Sequence, residues 1–460
     1  MDPSRNTNSA SLSTSFLFLL LITSPTIISS SPSLNYHNTF FPTSPSQPHH
    51  EPESDPTTMT LSMPLLHVDS LHPAKSSLTP TQLLRLRLRR DILRAEAHKH
   101  LRGPAQFNSS IYSGILQGSG EFFTRLMVGT PPQLAQFVVD TGSDLTWLQC
   151  MPCRDCFRQS DPVYDPTQSE SFKLVPCDSK LCHAHRCRSK DSCHYNVEYG
   201  DYSYTKGELA TETLTFRTTR LARVALGCGQ ENRGFFSGAG GLLGLGRGRL
   251  SLPAQKGRLF NRTFSYCLVN RYATNGSSWL MFGNPAVSVN AVYTPLVKGR
   301  GENMITFYTV RLIGISVGGK AVGLPEAAAE KEVIVDSGTP ISRLSQGMYD
   351  AVRDAFKEEN KNLIPADSPM PELFDTCYSI REGDEVSTVT LQFEGGAFME
   401  LPKTNCLVPL DEEGTYCFAF AGVTDGPGIL GNTQQQGFRV VFDLEGEQVG
   451  FAPDSCVKPT

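Results

Sequence analysis

The sequence predicts a mainly β protein built from two related lobes with a cleft between them. From Gly118 onward, short runs of β-branched and aromatic residues are separated by Gly, Pro and Asp, which is typical of strands joined by turns. The segment FVVDTGS at 137–143 returns as VIVDSGT at 333–339, and GLLGLG at 241–246 returns as GILGN at 428–432. Because both landmarks recur in the same order, each half of the chain is expected to form one lobe that delivers one aspartate.

The composition fits a large folded protein with many turns. The chain has 460 residues, enough for two or more lobes or domains, and contains 39 Gly and 31 Pro. The net charge of -5 is mild and indicates no nucleic-acid partner. One helix is predicted over 346–363, where Tyr349, Val352, Ala355 and Phe356 share a face.

The N-terminus is typical of a secreted protein. The apolar run at 16–22, followed by small residues, predicts a signal peptide over 1–30 and an extracellular protein. A Ser-rich organellar transit peptide, which would direct the chain to a plastid, is the alternative, and the vacuole is a further alternative location. No apolar tail precedes Thr460, so no membrane anchor is expected at that end. Glycosylation sequons lie at Asn108, Asn261 and Asn275.

A prosegment is predicted over 31–117. It begins with a leader rich in Ser, Pro, Thr and His, and residues 85–102 carry seven Lys or Arg against two acids, or +5. The body, 118–460, has 32 basic and 39 acidic residues, or -7. A basic segment before an acidic body fits a detachable prosegment that inhibits the protein until acid releases it; a solvated helix is the alternative.

The two repeated motifs predict acid/base chemistry. If Asp140 and Asp336 lie face to face, they cannot both ionise comfortably, so they share a proton and titrate as a pair. The ionised member can take a proton from water while the protonated member polarises a peptide carbonyl, which hydrolyses the bond without a covalent intermediate. Gly142 and Gly338 allow each backbone to turn sharply close to the partner loop.

The hydroxyl residues of both motifs are expected to hold the two acids. Thr141 and Ser337 can form hydrogen bonds to backbone groups across the two loops. Ser143 and Thr339 can donate hydrogen bonds to the outer carboxylate oxygens. One such motif alone would indicate only an Asx turn after a strand, but two copies in matched surroundings indicate a site.

At these motifs the chain resembles the plant pepsin-like aspartic endopeptidases of the nepenthesin type. The resemblance covers residues 118–456 and is carried by VDTGSDLTWLQC, CHYNVEYGD, FSYC, ISVGG, VDSGT and FDTCY. It implies the bilobal pepsin-like fold, with lobes at 118–295 and 296–460 and a Cys-rich insert and a flap in the first lobe. It also implies a monomer without cofactor or metal that hydrolyses polypeptides, with Asp140 and Asp336 as the catalytic residues.

The same resemblance assigns the flap that covers a bound peptide. Tyr199 matches the flap tyrosine, and Trp147 matches the indole that forms a hydrogen bond with it. Ser143 and Thr339 support the site. Two positions depart from the family pattern: residue 202 is Tyr where Gly is usual, and residue 340 is Pro where Thr is usual.

The thirteen cysteines indicate disulfides, since seven of them lie within the 44 residues 150–193 and the other features indicate secretion. In isolation, CMPCRDC would also fit a redox pair or a metal site. The resemblance implies six pairs and leaves Cys406 single: Cys150–Cys153, Cys156–Cys228, Cys177–Cys193, Cys182–Cys187, Cys267–Cys456 and Cys377–Cys417.

Two other functions compete with a peptidase. The segment GISVG at 314–318 satisfies the serine hydrolase pattern, but the following VGGKAVGLP cannot form the helix that this pattern requires. The second alternative is a non-catalytic binding or inhibitor protein of the same fold. Such proteins typically lose an acid or the flap tyrosine, whereas Asp140, Asp336 and Tyr199 are all present here.

Overall fold

A computed structural model of the chain describes residues 59–67, 82, 85, 88 and 122–456. Within the last range the gaps are 183–185, 190–191, 200–202, 235, 237, 271–277, 289, 299–301, 327–330, 425 and 455. The predicted signal peptide, Asn108, Asn275, Tyr202 and nearly all of the basic segment at 85–102 lie outside the described residues. No helix in the described part is long and apolar enough to cross a membrane.

Strands dominate the described residues, as the alternation of β-branched residues and turns predicts. Those of the first half are β1 (Leu61–His67), β2 (Phe122–Val128), β3 (Gln133–Asp140), β4 (Trp147–Gln149), β5 (Lys173–Leu174), β6 (Arg186–Ser189), β7 (Ser192–Glu198), β8 (Tyr204–Phe216), β9 (Thr219–Arg233), β10 (Gly241–Gly244), β11 (Thr263–Cys267) and β12 (Ser278–Phe282). Those of the second half are β13 (Val292–Pro295), β14 (Thr309–Val317), β15 (Lys320–Ala321), β16 (Glu332–Val335), β17 (Ser342–Ser345), β18 (Ile364–Ala366), β19 (Cys377–Ser379), β20 (Val389–Phe393), β21 (Phe398–Leu401), β22 (Leu407–Pro409), β23 (Thr415–Phe418), β24 (Phe420–Val423), β25 (Gly428–Leu430), β26 (Phe438–Asp443) and β27 (Gln448–Pro453).

Within the described residues of 122–456, four α-helices accompany the strands: α1 (Leu252–Lys256), α2 (Gln346–Glu359), α3 (Lys403–Cys406) and α4 (Asn432–Gln435). Short 3-10 helices cover Pro166–Gln168, Lys180–Cys182, Gly257–Phe260, Asn284–Ala286, Glu302–Thr306 and Glu394–Gly396. Helix α2 is the one predicted from the sequence and buries Met348, Tyr349, Val352 and Phe356. It ends four residues before the predicted end, where the Asn360 amide group donates to the Phe356 carbonyl at 2.8 Å.

The strands form two lobes joined by a shared sheet. In the first lobe the order is β2-β3-β10-β4-β9-β8-β7-β6, and in the second it is β21-β20-β14-β16-β25-β17-β24. Between them runs β13-β27-β26-β11-β12-β1, which takes strands from both halves of the chain and is continuous with the first lobe through β1 and β2. This architecture confirms the predicted bilobal β fold.

Strand β1 lies inside the predicted prosegment and is nevertheless part of the shared sheet. It pairs antiparallel with β12 from Leu61 to Leu65, and Leu66 and His67 pair with β2. Leu61, Met63 and Leu65 point into the core and are buried. The sheet of the full chain therefore includes a strand from the segment that the sequence predicts to be a prosegment.

We expect Met63→Ala to destabilise the full-length chain by about 2–5 kcal/mol, because it leaves a cavity where a fully buried side chain was. Denaturant unfolding of the uncleaved protein measures this loss. The control is Leu134→Ala, which truncates an apolar side chain that is 42% exposed on β3 and should cost less than about 1 kcal/mol. Equal stability of the Met63 variant and the unaltered chain would contradict the packing of β1.

Candidate active site

Asp140 is the last residue of strand β3, which is paired along both edges. Strand β2 lies antiparallel on one side, and β10 lies parallel on the other with Gly244 opposite Asp140. The Leu245 backbone N–H donates to the Asp140 carbonyl at 2.8 Å. The apolar run before the acid therefore fixes it at the end of a buried, doubly paired strand.

Asp336 follows strand β16 in the same way. Strand β25 lies parallel to β16 with Val335 opposite Leu430, and the Asp336 N–H donates to the Leu430 carbonyl at 3.2 Å. The repeated Gly-rich landmarks of the sequence are thus the parallel strands β10 and β25. Each supports the strand that delivers an acid.

The two carboxyl groups meet between Gly142 and Gly338. A Cβ at Gly142 would lie 3.0 Å from Asp336 Oδ1 and 3.2 Å from Asp140 Oδ1. A Cβ at Gly338 would lie 2.6 Å from Asp140 Oδ1 and 3.2 Å from Asp336 Oδ1. Each glycine N–H also donates to the carboxylate two residues before it, at 3.0 and 2.8 Å. Both glycines are therefore needed for the close approach of the acids, as the sequence predicts.

Thr141 and Ser337 exchange hydrogen bonds across the two lobes. The Thr141 hydroxyl donates to the Val335 carbonyl and the Ser337 hydroxyl donates to the Val139 carbonyl, both at 3.2 Å. In return, the Ser337 N–H donates to Thr141 Oγ1 at 3.0 Å and the Thr141 N–H donates to Ser337 Oγ at 3.2 Å. This symmetric exchange is the one predicted from the two motifs.

The outer carboxylate oxygens are not supported symmetrically. The Thr339 hydroxyl donates to Asp336 Oδ2 at 2.6 Å, as expected. The Ser143 hydroxyl is buried and makes no hydrogen bond within the described structure, so the expected bond to Asp140 is absent there. Pro340, which departs from the family pattern, is buried, and its carbonyl accepts the Thr433 N–H at 3.0 Å.

Asp144 is a third buried carboxylate beside the site, and the sequence analysis missed it. Its Oδ1 accepts the Gly248 N–H and its Oδ2 accepts the Thr306 hydroxyl, both at 2.8 Å. A Cβ at Gly246 or Gly248 would fall within 2.4 Å of this carboxylate. The sequence does contain a sign of this contact in LGRG at 245–248, because its two glycines leave room for the Asp144 side chain, about 100 residues earlier in the chain.

Burial raises the pKa of Asp144 above its usual range, although the hydrogen bonds from Thr306 and Gly248 lower it. The carboxylate joins the first-lobe motif to the start of the second lobe, because Thr306 lies just before β14. Hydrogen bonds from both lobes therefore converge on this buried carboxylate.

The predicted flap residues Tyr199 and Trp147 contact each other in the first lobe. Strands β7 and β8 form a hairpin, and the Tyr199 N–H donates to the Ser203 carbonyl at 2.9 Å. The Trp147 indole N–H donates to the Tyr199 hydroxyl at 2.5 Å. The Phe236 ring makes an edge contact with the indole, with 5.2 Å between ring centroids. Tyr202 lies outside the described residues.

Six disulfides are present, and four of the expected pairs are wrong. Cys406 is free and buried, and burial raises the pKa of its thiol to about 12. The observed pairs are Cys150–Cys228, Cys153–Cys156, Cys177–Cys187, Cys182–Cys193, Cys267–Cys456 and Cys377–Cys417; the last two agree with the expectation.

The corrected pairs follow from strand pairing and burial. Strand β4 lies parallel to β9, which brings Cys150 within a Cα distance of 5.3 Å of Cys228 and leaves Cys153 to pair with Cys156. In the insert, Cys182 and Cys193 share the core cluster that contains Trp147 and Tyr199. The two more accessible cysteines of the insert, at 177 and 187, then pair with each other.

Two protein-family models match the chain: Xylanase inhibitor N-terminal over residues 122–284 and Xylanase inhibitor C-terminal over residues 307–453. The fold resembles that of basic 7S globulin from soybean, with a TM-score of 0.60 and 21% identity, covering 74% of this chain and 94% of the globulin. At that identity, the likeness supports the fold alone.

Curated relatives decide the family. The chain is 47% identical to Aspartyl protease family protein 2 of Arabidopsis thaliana over 86% of this chain and 85% of that protein. It belongs to the plant pepsin-like aspartic protease family. It is also 36% identical to Aspartic proteinase nepenthesin-1 of Nepenthes gracilis, over 85% of this chain and 89% of the relative. The chain is therefore an aspartic-type endopeptidase, and a non-catalytic inhibitor is not favoured.

The serine hydrolase alternative also finds no support in the protease's structure. Ser316 lies inside strand β14, where it pairs with Ala321 on one side and Thr390 on the other. A turn at Gly318 and Gly319 leads directly into β15. The serine therefore does not stand at the strand-to-helix turn that a nucleophile elbow needs.

Asp144→Asn should change how the stability of this protease depends on pH. A raised pKa means that the folded protein favours neutral Asp144, so the wild type loses stability relative to the variant as pH rises above about 3.8 and through the raised value. Each unit of elevation corresponds to about 1.4 kcal/mol. Urea unfolding of both proteins between pH 3.5 and 7 measures the difference.

Asp165→Asn is the control with the opposite sign. Hydrogen bonds from Thr167 and Gln168 lower the pKa of Asp165, so there the wild type should gain stability relative to the variant as pH rises. If the difference between the Asp144 variant and the wild type stays constant across the pH range, Asp144 has the same pKa in the folded and unfolded states, which contradicts the raised pKa.

Proposed function

We propose that Asp140 and Asp336 are the catalytic pair of this aspartic endopeptidase. The observation that carries the proposal is the approach of both carboxyl groups to the same two positions, Gly142 and Gly338. Since the loops that hold the acids are tied to each other, one rigid site presents both carboxyl groups to one water molecule.

In the reaction the pair begins with one shared proton. The ionised carboxylate takes a proton from the water, whose oxygen bonds to the peptide carbonyl carbon. The carbonyl π electrons move to its oxygen, which receives the proton of the other carboxyl. The C–N bond of the tetrahedral diol then breaks as the carboxyl that took the water's proton gives it to the nitrogen. One hydroxyl of the diol passes its proton to the other carboxylate as the C=O bond re-forms. The products are a carboxylic acid and an amine, and the pair again holds one proton.

Tyr199 and Trp147 would hold the flap over a polypeptide substrate in the cleft. The indole N–H fixes the Tyr199 hydroxyl, and the Phe236 ring packs against the indole. Because this cluster is buried on the first lobe, it would provide a firm base for the hairpin of β7 and β8. Thr339 would support Asp336 through the hydrogen bond to its Oδ2, whereas Ser143, expected from the sequence to do the same for Asp140, makes no such bond within the described residues.

We further propose a secreted precursor, with residues 1–30 as signal peptide and 31–117 as inhibitory prosegment. The disulfides support an oxidising compartment. Asn261 is exposed in a turn and is suited to glycosylation; the sequons at Asn108 and Asn275 remain predictions. The lobes would follow at 118–295 and 296–460. A monomer suffices, because one chain supplies both acids.

The dyad is tested by Asp140→Asn and Asp336→Asn. Each variant should lose peptidase activity by at least about a thousandfold, because an amide cannot share the proton, while retaining the shape of the site. The measurement is cleavage of a denatured protein after acid incubation, with and without a chelator, which should have no effect.

Asp367→Asn is the matched control, since that acid is exposed in the second lobe and should be replaceable without loss of activity. Activity that survives both dyad substitutions, or that a chelator removes, would contradict the proposal.

A further inference from the structure

A buried tyrosine connects the two lobes beside the acids, and the mechanism above does not use it. Tyr266 lies in β11 and is fully buried. Its hydroxyl donates to the side-chain carbonyl oxygen of Gln435 in α4. A strand from the first half of the chain is thus hydrogen-bonded to a glutamine of the C-terminal part of the chain.

Gln435 continues this connection to Asp336. Its side-chain amide N–H groups donate to the Asp336 carbonyl at 3.1 Å and to the Leu430 carbonyl at 2.7 Å. Leu430 in turn accepts the Asp336 N–H. The glutamine is fully buried and uses both of its donors and its acceptor. Gln435 therefore holds the carbonyl group of Asp336, while Leu430 holds its N–H group.

We propose that Tyr266 and Gln435 are positioning residues that hold Asp336 in register with Asp140. The inference rests on the proposed catalytic pair and adds a second connection to it. Thr141 and Ser337 join the two loops directly, whereas Tyr266, on a strand of the first half of the chain, reaches the Asp336 carbonyl through Gln435. The two connections hold different atoms of the Asp336 loop and so restrict its movement relative to the first lobe.

Packing alone does not explain this arrangement. The Tyr266 ring lies against Phe442, with 5.5 Å between ring centroids, and a phenylalanine would fill the same space. A buried hydroxyl and a buried amide destabilise a core unless every polar atom is bonded. Here the bonds end on the carbonyls of Asp336 and Leu430, so the polar atoms serve the geometry of the site.

The titratable groups that face the hydroxyl are Asp336, Asp140 and Tyr308. Burial is the main reason why the pKa of Tyr266 lies well above its usual range, and the charges of the two acids raise it further. Tyr266 therefore stays protonated wherever the dyad titrates and does not itself contribute a limb to the pH profile.

Loss of the hydroxyl should alter the coupling between the acids. Two close carboxyl groups titrate as a pair, and the singly protonated state is active over the interval between the two apparent pKa values. If Asp336 moves away from Asp140, the coupling weakens and this interval narrows. The acidic limb of the pH–rate profile then moves up and the alkaline limb moves down.

The experiment measures kcat and KM against pH for Tyr266→Phe in the full chain after acid incubation, with a chromogenic peptide as substrate. We expect kcat to fall about tenfold or more, KM to stay within about twofold, and the two limbs to approach each other by at least about half a pH unit. Gln435→Met, which keeps the length of the side chain but removes its bonds, should narrow the profile in the same way.

Tyr349→Phe is the matched control. Tyr349 lies on helix α2, and its hydroxyl donates to Asp375 at 2.6 Å. The substitution removes this one hydroxyl, which contacts neither Asp140 nor Asp336. It should lower stability comparably but leave both limbs in place. If the wild type is active and both site variants keep its kcat and its limbs, the positioning role is wrong although the proposed function stands. A wild type without peptidase activity would overturn the proposed function and this inference with it.

Discussion

The exchange of hydrogen bonds between Thr141 and Ser337 is the constraint on which the rest of the site depends. Each residue gives its hydroxyl proton to a carbonyl of the other lobe and accepts a backbone N–H in return. Since all four groups are buried, breaking the exchange would leave unpaired polar atoms at the centre of the protein. Two strands from opposite halves of the chain therefore end in one rigid unit.

The larger fold keeps these strands in place. Strands β3 and β16 are each supported by a parallel partner, and the sheet between the lobes takes strands from both halves of the chain. Asp144 adds a contact through Thr306, and Tyr266 adds one through Gln435. The lobes are thus joined near the acids by several independent contacts, which is what a site built from two distant segments requires.

Sequence patterns were informative wherever the chemistry is local or repeated. The two motifs predicted the meeting of the acids and the hydroxyl exchange, because both depend on residues within a few positions of each aspartate. They did not reveal that the Ser143 hydroxyl makes no hydrogen bond in the described part of the chain while the Thr339 hydroxyl donates to Asp336. The two motifs are equivalent in sequence, and only the residues packed around them differ. Disulfide partners such as Cys150 and Cys228 were missed because spacing does not show which strands are neighbours.

A double-mutant cycle on the hydroxyl exchange tests the central claim most directly. The quantity is kcat/KM for Thr141→Val, Ser337→Ala and the double variant at the pH optimum. Each single change breaks bonds in both lobes, so each should cost nearly as much as the double change, with a coupling of at least about 2 kcal/mol, or about thirtyfold. Losses that simply add, with no coupling between the two positions, would show that the loops hold their acids independently and would contradict the account.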